Sequence, residues 1–317
     1  MKAGVNVLNY GPGTTPDSLL AWVAGAEELG FHLAMISDHV TLPPEVAAKF
    51  PAPFYDPFTT LAWLAGQTRT IGLGTTVTVI PYRHPLHTAR VAANLDRLSG
   101  GRLVFGAGVG WSRQEFDALG IAFGRRGEIT DEYLAAILAH WAQDTVAATG
   151  PHARYTDITT GPSPLRRPPV WVGGLGDAAL RRTARFGDAW HPFGFGAPEV
   201  RERLPRLAAA ARHIGRPTPA VTPRIALHLT DRPVTGPRRI AGYGTLGQVR
   251  DDLEALSELG VPCVVFDTYL TEYLGLVPPG SGPRHDTALL EAVAGELMDL
   301  TPVPPGSAVP PPVPPSP

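Results

Sequence analysis

The chain has 317 residues, 44% of them hydrophobic, enough to bury a large core. Its 27 basic and 29 acidic residues leave a net charge of −2, so no electrostatic footprint for nucleic acid or an anionic membrane surface is present. The single cysteine, Cys263, excludes a disulfide framework and a cysteine-based metal site within one chain. The N-terminus shows no apolar leader after Lys2, and no apolar run approaches the roughly 20 residues that cross a bilayer. The expectation is a soluble, cytoplasmic protein.

In chain order, Lys2–Leu8 reads as a first strand and Pro16–Leu29 as a helix closed by Gly30. Phe31–Ile36 is a short apolar second strand. A Pro-rich loop over 40–56 follows, and long loops inside compact domains usually carry function. Asp56-Pro57 opens a helix to Gln67, Ile71–Val79 is strand three, Pro85–Leu98 its helix, and Arg102–Phe105 strand four. Helical pattern covers Ser112–Leu119 and Arg126–Ala148, and 150–169 is an irregular polar excursion. Strand five is Val170–Val172, with a helix over Asp177–Phe186. Strand six is Asp188–His191, with a helix over Pro198–His213. Strand seven is Val221–Leu229 and strand eight Val261–Phe266, with helices over Thr245–Leu259 and Thr287–Leu300.

Apolar strands alternating with helices imply parallel strands joined by helical crossovers. Eight such units predict an α/β fold, a single-domain (β/α)8 TIM barrel over residues 1–300 with insertions after its strands, whose working groups sit at the C-terminal strand ends. Residues 301–317, with nine prolines, read as a disordered or polyproline II tail.

Several strand ends carry chemistry-bearing residues. His39 follows strand two beside Asp38. It is either a proton donor or acceptor at a reacting centre, or a loop histidine. Thr75-Thr76-Val77 reads on pattern as ordinary strand core. Gly106-Ala107-Gly108-Val109-Gly110 allows close backbone approach to a ligand, but its spacing is not that of a dinucleotide fold. Gly173-Gly174-Leu175-Gly176 opens a helix and is either a phosphate turn or a plain strand-to-helix turn. Trp111 and Trp190, after strands four and six, would face a barrel pocket, as would Phe54 in the Pro-rich loop. An aromatic wall suits a flat heterocycle. His84-Pro85-Leu86-His87 lacks a carboxylate at metal spacing, so no metal site is expected.

Together these segments resemble the bacterial luciferase-like superfamily, (β/α)8 barrels that use a reduced flavin or the deazaflavin F420. The resemblance runs from about residue 2 to 300. It rests on ISDHV, GTTVTVIPYRHPLHTARVAANLDRLSGGRL, GAGVGWSRQEFDALG and PPVWVGGLGDAALRRTARFGDAW. The string from Gly110 to Gly120 is most similar to the F420-dependent branch. The resemblance implies that His39 is catalytic and that Asp38 lies beside the cofactor. It places Thr76-Val77 at a strand-three bulge where a non-prolyl cis peptide backs the ring. Gly108, Val109 and Gly110 would lie at the ring edge, and Gly173, Gly174, Leu175 and Gly176 at the phosphate.

One departure stands out. The glucose-6-phosphate dehydrogenase branch carries a catalytic Glu where this chain has Trp111. Glu115, one helical turn on, either compensates as an acid or anchors its helix. The implied activity is hydride transfer between F420 and a small apolar or aromatic substrate. Alternatives are an FMN-dependent monooxygenase of the same fold and a non-catalytic flavin or F420 binder. The superfamily often forms dimers, so a homodimer is expected, although no interface pattern marks one.

Overall fold

The computed structural model describes residues 1–280 and 285–301; the tail expected over 301–317 lies outside the described residues except for Thr301. Eight parallel strands form its centre: β1 (Lys2–Val7), β2 (Leu33–Ile36), β3 (Gly72–Thr75), β4 (Leu103–Gly108), β5 (Val170–Gly173), β6 (Ala189–His191), β7 and β8 (Cys263–Asp267). They pair in sequence order from β1 to β6, and β8 pairs back onto β1. β7 closes the ring in two halves. Ala220–Val221 pairs with β6, and Arg224–Ala226 pairs with β8. Between the halves stands Pro223, which has no N–H to donate, while its carbonyl accepts from Val265 N at 3.0 Å. The fold is therefore the (β/α)8 barrel that the alternation predicts.

The strands are short apolar runs because both of their faces are covered. Inside the barrel, Leu33, Met35, Val104, Trp171, Cys263 and Val265 pack into a plug. Outside it, the larger core lies between the sheet and a ring of helices: α1 (Pro16–Glu28), α2 (Pro57–Gln67), α3 (Pro85–Leu98), α4 (Arg126–Ala142), α5 (Asp177–Phe186), α6 (Ala197–His213), α7 (Leu246–Glu258) and α8 (Thr287–Ala292). Each fully buried large side chain contributes about 1.5–3 kcal/mol. Helix starts follow local chemistry. Thr15 and Ser18 form a capping box at α1, and Asp56 accepts from Thr59 N at α2.

Four expectations are corrected. Strand seven, expected over Val221–Leu229, is broken at Pro223 and ends in the barrel at Ala226, while His228–Leu229 pairs with Tyr243–Gly244. The helix read to Ala148 ends at Ala142. β-branched Thr145 and Val146 then start a strand, Thr145–Thr149, that pairs antiparallel with Arg154–Thr159 inside the excursion. The last helix passes into a π turn at Val293–Leu297, which contains Gly295. Strand three is not continuous. β3 stops at Thr75, the Thr76–Val77 peptide is cis, and Thr78–Val79 resumes pairing with β4.

That break is accommodated by glycines on neighbouring strands. A Cβ on Gly106 would overlap the Thr75 carbonyl, and one on Gly108 would collide with Val77. Among the described residues, no helix is long and apolar enough to cross a membrane. Because the Gly106 collision involves backbone rather than a flexible side chain, Gly106→Ala is expected to lower stability by about 3 kcal/mol or more, read from the urea midpoint. A loss below about 1 kcal/mol would show that strand three can shift to accept the methyl group.

Candidate active site

The loops after β2, β3 and β4 are joined at the C-terminal end of the barrel by one carboxylate. Glu115 sits on the short helix Arg113–Ala118 and has no exposed surface. Its Oε2 accepts from His39 Nδ1 at 2.7 Å and from the Tyr82 hydroxyl at 2.8 Å. Its Oε1 accepts from the amides of Val40 at 2.7 Å and Thr41 at 3.0 Å. Burial alone would favour the neutral acid. The His39 bond and charge, the Thr41 amide and the Tyr82 hydroxyl outweigh it and hold the Glu115 carboxyl below its ordinary value. Burial first, and then the Glu115 charge, push the Tyr82 phenol far up.

The carboxylate fixes the His39 ring. Nδ1 is committed to Glu115, while Nε2 has no protein partner among the described residues and His39 lines the cleft. Aromatic rings enclose it: Phe50 at 5.1 Å, Phe54 at 5.4 Å and Trp111 at 5.8 Å between centroids. Asp38 performs a parallel task one residue earlier. It takes a two-pronged bond from Arg83, at 2.7 and 2.9 Å, and the Val79 amide at 2.9 Å. Neighbouring residues on one loop thus lock the loops after β3 and β4 separately.

A cleft of about 240 Å3 lies between these loops. It brings together Asp38, His39, Thr76, Val77, Gly108, Val109, Gly110, Trp111, Gly173 and Gly174. Its floor is polar. His191 on β6 accepts from Thr76 Oγ1 at 2.9 Å and donates to the Thr222 carbonyl at 2.5 Å. Arg224 on β7 donates to the Thr76 carbonyl at 3.1 Å and pairs with Asp267 at 3.2 Å. Burial lowers His191 from its ordinary 6.5 to about 4, with the Arg224 charge acting in the same direction, so the ring is neutral above that pH.

Other expected residues lie elsewhere. Trp190, expected on the cleft wall, is buried in the outer core with its Nε1 bonded to the Gly174 carbonyl at 2.8 Å. Side chains alternate along a strand, and since His191 faces the cleft, Trp190 faces the helices. Phe54 stacks on Tyr10 behind His39 and does not reach the cleft. Glu115 lies beneath His39 and does not open into the cleft. Leu175 and Gly176 lie beyond its edge. Sequence reasoning missed Phe50, His191, Phe193, Arg224 and Tyr273 as lining residues. Phe50 lies in the loop flagged as functional, and the strand-end rule that found His39 would have found His191, Phe193 and Tyr273. Arg224 is inside a strand and carries no sequence signal.

The donors available suit a flat heterocycle bearing a phosphate. Trp111, Val77 and the glycine edge of β4 offer flat apolar surface. At the Gly173–Gly176 turn no side chain caps the first turn of α5, which leaves its amides for an anion. Among the described residues, no group of three or more His, Cys, Asp and Glu is arranged to hold a metal ion.

A family model described as luciferase-like monooxygenase matches residues 1–233. An F420-dependent hydroxymycolic acid dehydrogenase of Mycobacterium tuberculosis is 32% identical over 178 residues; the match covers 55% of this chain and 48% of that protein. The chain thus spans about half the length of that relative. An F420-dependent secondary alcohol dehydrogenase, solved with an F420-acetone adduct, superposes with a TM-score of 0.71 at 15% identity, covering 88% of this chain and 98% of the other. The oxygenating constituent of 3,6-diketocamphane monooxygenase from Pseudomonas putida, solved with FMN, superposes with a TM-score of 0.71 at 17% identity, covering 94% and 98%.

Acid should weaken the fold through the floor of this site. His191 binds a proton more readily unfolded, near 6.5, than folded, near 4. Stability is therefore full above pH 6.5 and falls as pH drops toward 4, by about 3 kcal/mol. Glu115, depressed in the fold, adds a further loss as pH falls below its unfolded value. Urea unfolding at pH 7 and 4.5 should show the loss, and His191→Gln should flatten it. An unchanged slope in that variant would assign the loss to other groups.

Proposed function

The chain belongs to the luciferase-like monooxygenase family, and from that premise we propose that it is an oxidoreductase moving a hydride between the deazaflavin F420 and a small apolar or aromatic substrate. The observation that carries this reading is His39, held by the buried Glu115 with its second nitrogen turned to the cleft. A fixed imidazole at hydrogen-bond reach of a substrate oxygen suits proton transfer coupled to hydride transfer at a carbon. The relative at 32% identity bears an F420-dependent name, which supports this cofactor over FMN.

When bound, the deazaflavin supplies or accepts the hydride at its C5 carbon. The protein contributes the rest. Val77 and the β4 glycines would lie against the ring, and the amides at the head of α5 would hold phosphate. Phe50, Trp111, Phe193 and Tyr273 exclude water and favour a carbon-rich substrate. Nε2 of His39 gives a proton to the substrate oxygen in reduction and takes it in oxidation. Glu115 is a positioning residue. It holds the ring and stabilises the imidazolium that forms during oxidation.

The second reading, a monooxygenase using reduced FMN and oxygen, is supported by the shared fold with the FMN-bound diketocamphane enzyme. Titration separates the two. F420 is expected to bind at least tenfold more tightly than FMN, and a preference for FMN overturns the F420 assignment. In steady-state assays with a panel of ketones and secondary alcohols, His39→Ala should lower kcat by about 10²–10⁴-fold while F420 affinity stays within about threefold. Unchanged turnover would remove His39 from proton transfer.

A further inference from the structure

The second cavity of the barrel lies at its opposite, N-terminal mouth and is larger than the cleft, at about 390 Å3. Its walls are the interior side chains Leu33, Val104, Trp171 and Cys263. Lys2, Arg102 and Arg166 line its opening together with His32, and among the described residues no Asp or Glu does.

Among the described residues no acid bonds the buried Arg102, and the nearby Glu27 charge acts on it only at a distance. Its guanidinium donates to the carbonyls of Ala65, Thr68, Ile71 and Ser99 and to the Thr68 hydroxyl. Among the described residues Arg166 spends only its Nε on a partner, the Gly101 carbonyl at 2.8 Å. The neighbouring groups register this positive field. Burial, and then the Lys2 charge, lower His32 below its ordinary value.

One buried polar atom of a lining residue lacks a partner among the described residues. Trp171 Nε1 belongs to a side chain that is 3% exposed, and among the described residues it donates to nothing. A buried N–H without an acceptor costs about 1–3 kcal/mol, and such groups in native folds are met by a ligand or water.

We propose that this mouth is a binding site for an aromatic or aliphatic carboxylate that carries a second oxygen on its carbon body. The carbon body lies against Leu33, Val104 and Cys263, the carboxylate faces Arg166 at the opening, and the second oxygen accepts from Trp171 Nε1. The site is separate from the cleft. Trp171 lines the lower cavity and His191 lines the upper one, and their rings meet at 5.4 Å, so one layer of side chains divides the two.

Calorimetric titration with three probes tests each element: 6-hydroxy-2-naphthoate, 2-naphthoate and 2-naphthol. The hydroxy acid is expected to bind one to one, about tenfold more tightly than 2-naphthol and about fivefold more tightly than 2-naphthoate. Arg166→Ala should erase the first difference and Trp171→Phe the second. Val104→Phe, which fills the cavity, should weaken all three probes at least tenfold, while Trp111→Ala in the upper cleft should leave them unchanged. Trp171→Phe removes the N–H while keeping an aromatic, apolar side chain, so it reads the site even where Val104→Phe fails to fold. The proposal is overturned if the hydroxy acid does not bind, if 2-naphthol binds as tightly, or if binding is lost in Trp111→Ala and kept in Trp171→Phe.

Discussion

Glu115 is fully buried, and its two oxygens accept four hydrogen bonds from the loops after β2 and β3. Removing one partner of a buried charged pair costs about 3–5 kcal/mol, because the remaining charge or dipole is left without a partner or water. The cost of burying this carboxylate is met by bonds that all come from the rim of the cleft. The same interaction that stabilises the rim therefore sets the histidine ring that faces the cleft. Neighbouring Glu45 repeats the arrangement, accepting from Ser112 Oγ and Gln114 N while its own amide donates to the Gln114 side chain. The loop after β2 and the loop after β4 behave as one body.

The second constraint is steric. Val77 projects from the cis peptide toward β4 and β5, and it has room only because Gly106, Gly108 and Gly173 lack side chains there. Arg224 and His191 hold the polar side of the same bend through Thr76. Backbone geometry, glycine positions and two cationic or titratable side chains from distant strands thus form one unit. It accounts for glycines appearing in a row on β4 without a dinucleotide-binding spacing.

Much of this was readable in the sequence. The eight strands, their helices and the side of the barrel that carries the chemistry follow from short apolar runs, caps and glycine stops. His39 and the glycine edges were legible because they stand directly after strands. The cleft wall was read one residue off at Trp190, since His191 is the residue that faces inward. A three-residue strand gives too few alternations to set that register. Arg224 was invisible because a cation inside a strand looks like any other polar residue until its partners Thr76 and Asp267, far apart in sequence, are brought beside it. The hairpin over 145–159 was hidden by a helical pattern that continues into it.

The amides of Val40 and Thr41 lie in a loop, where backbone protons ordinarily trade with solvent within seconds or less. Here they are tied to a carboxylate with no exposed surface. Their exchange is then governed by how often the Glu115 contacts break, as opening governs exchange in a core strand. Two loop positions become clocks for the release of the Glu115 contacts. Their deuterium uptake reports that release in the resting protein, with no substrate, cofactor or turnover needed.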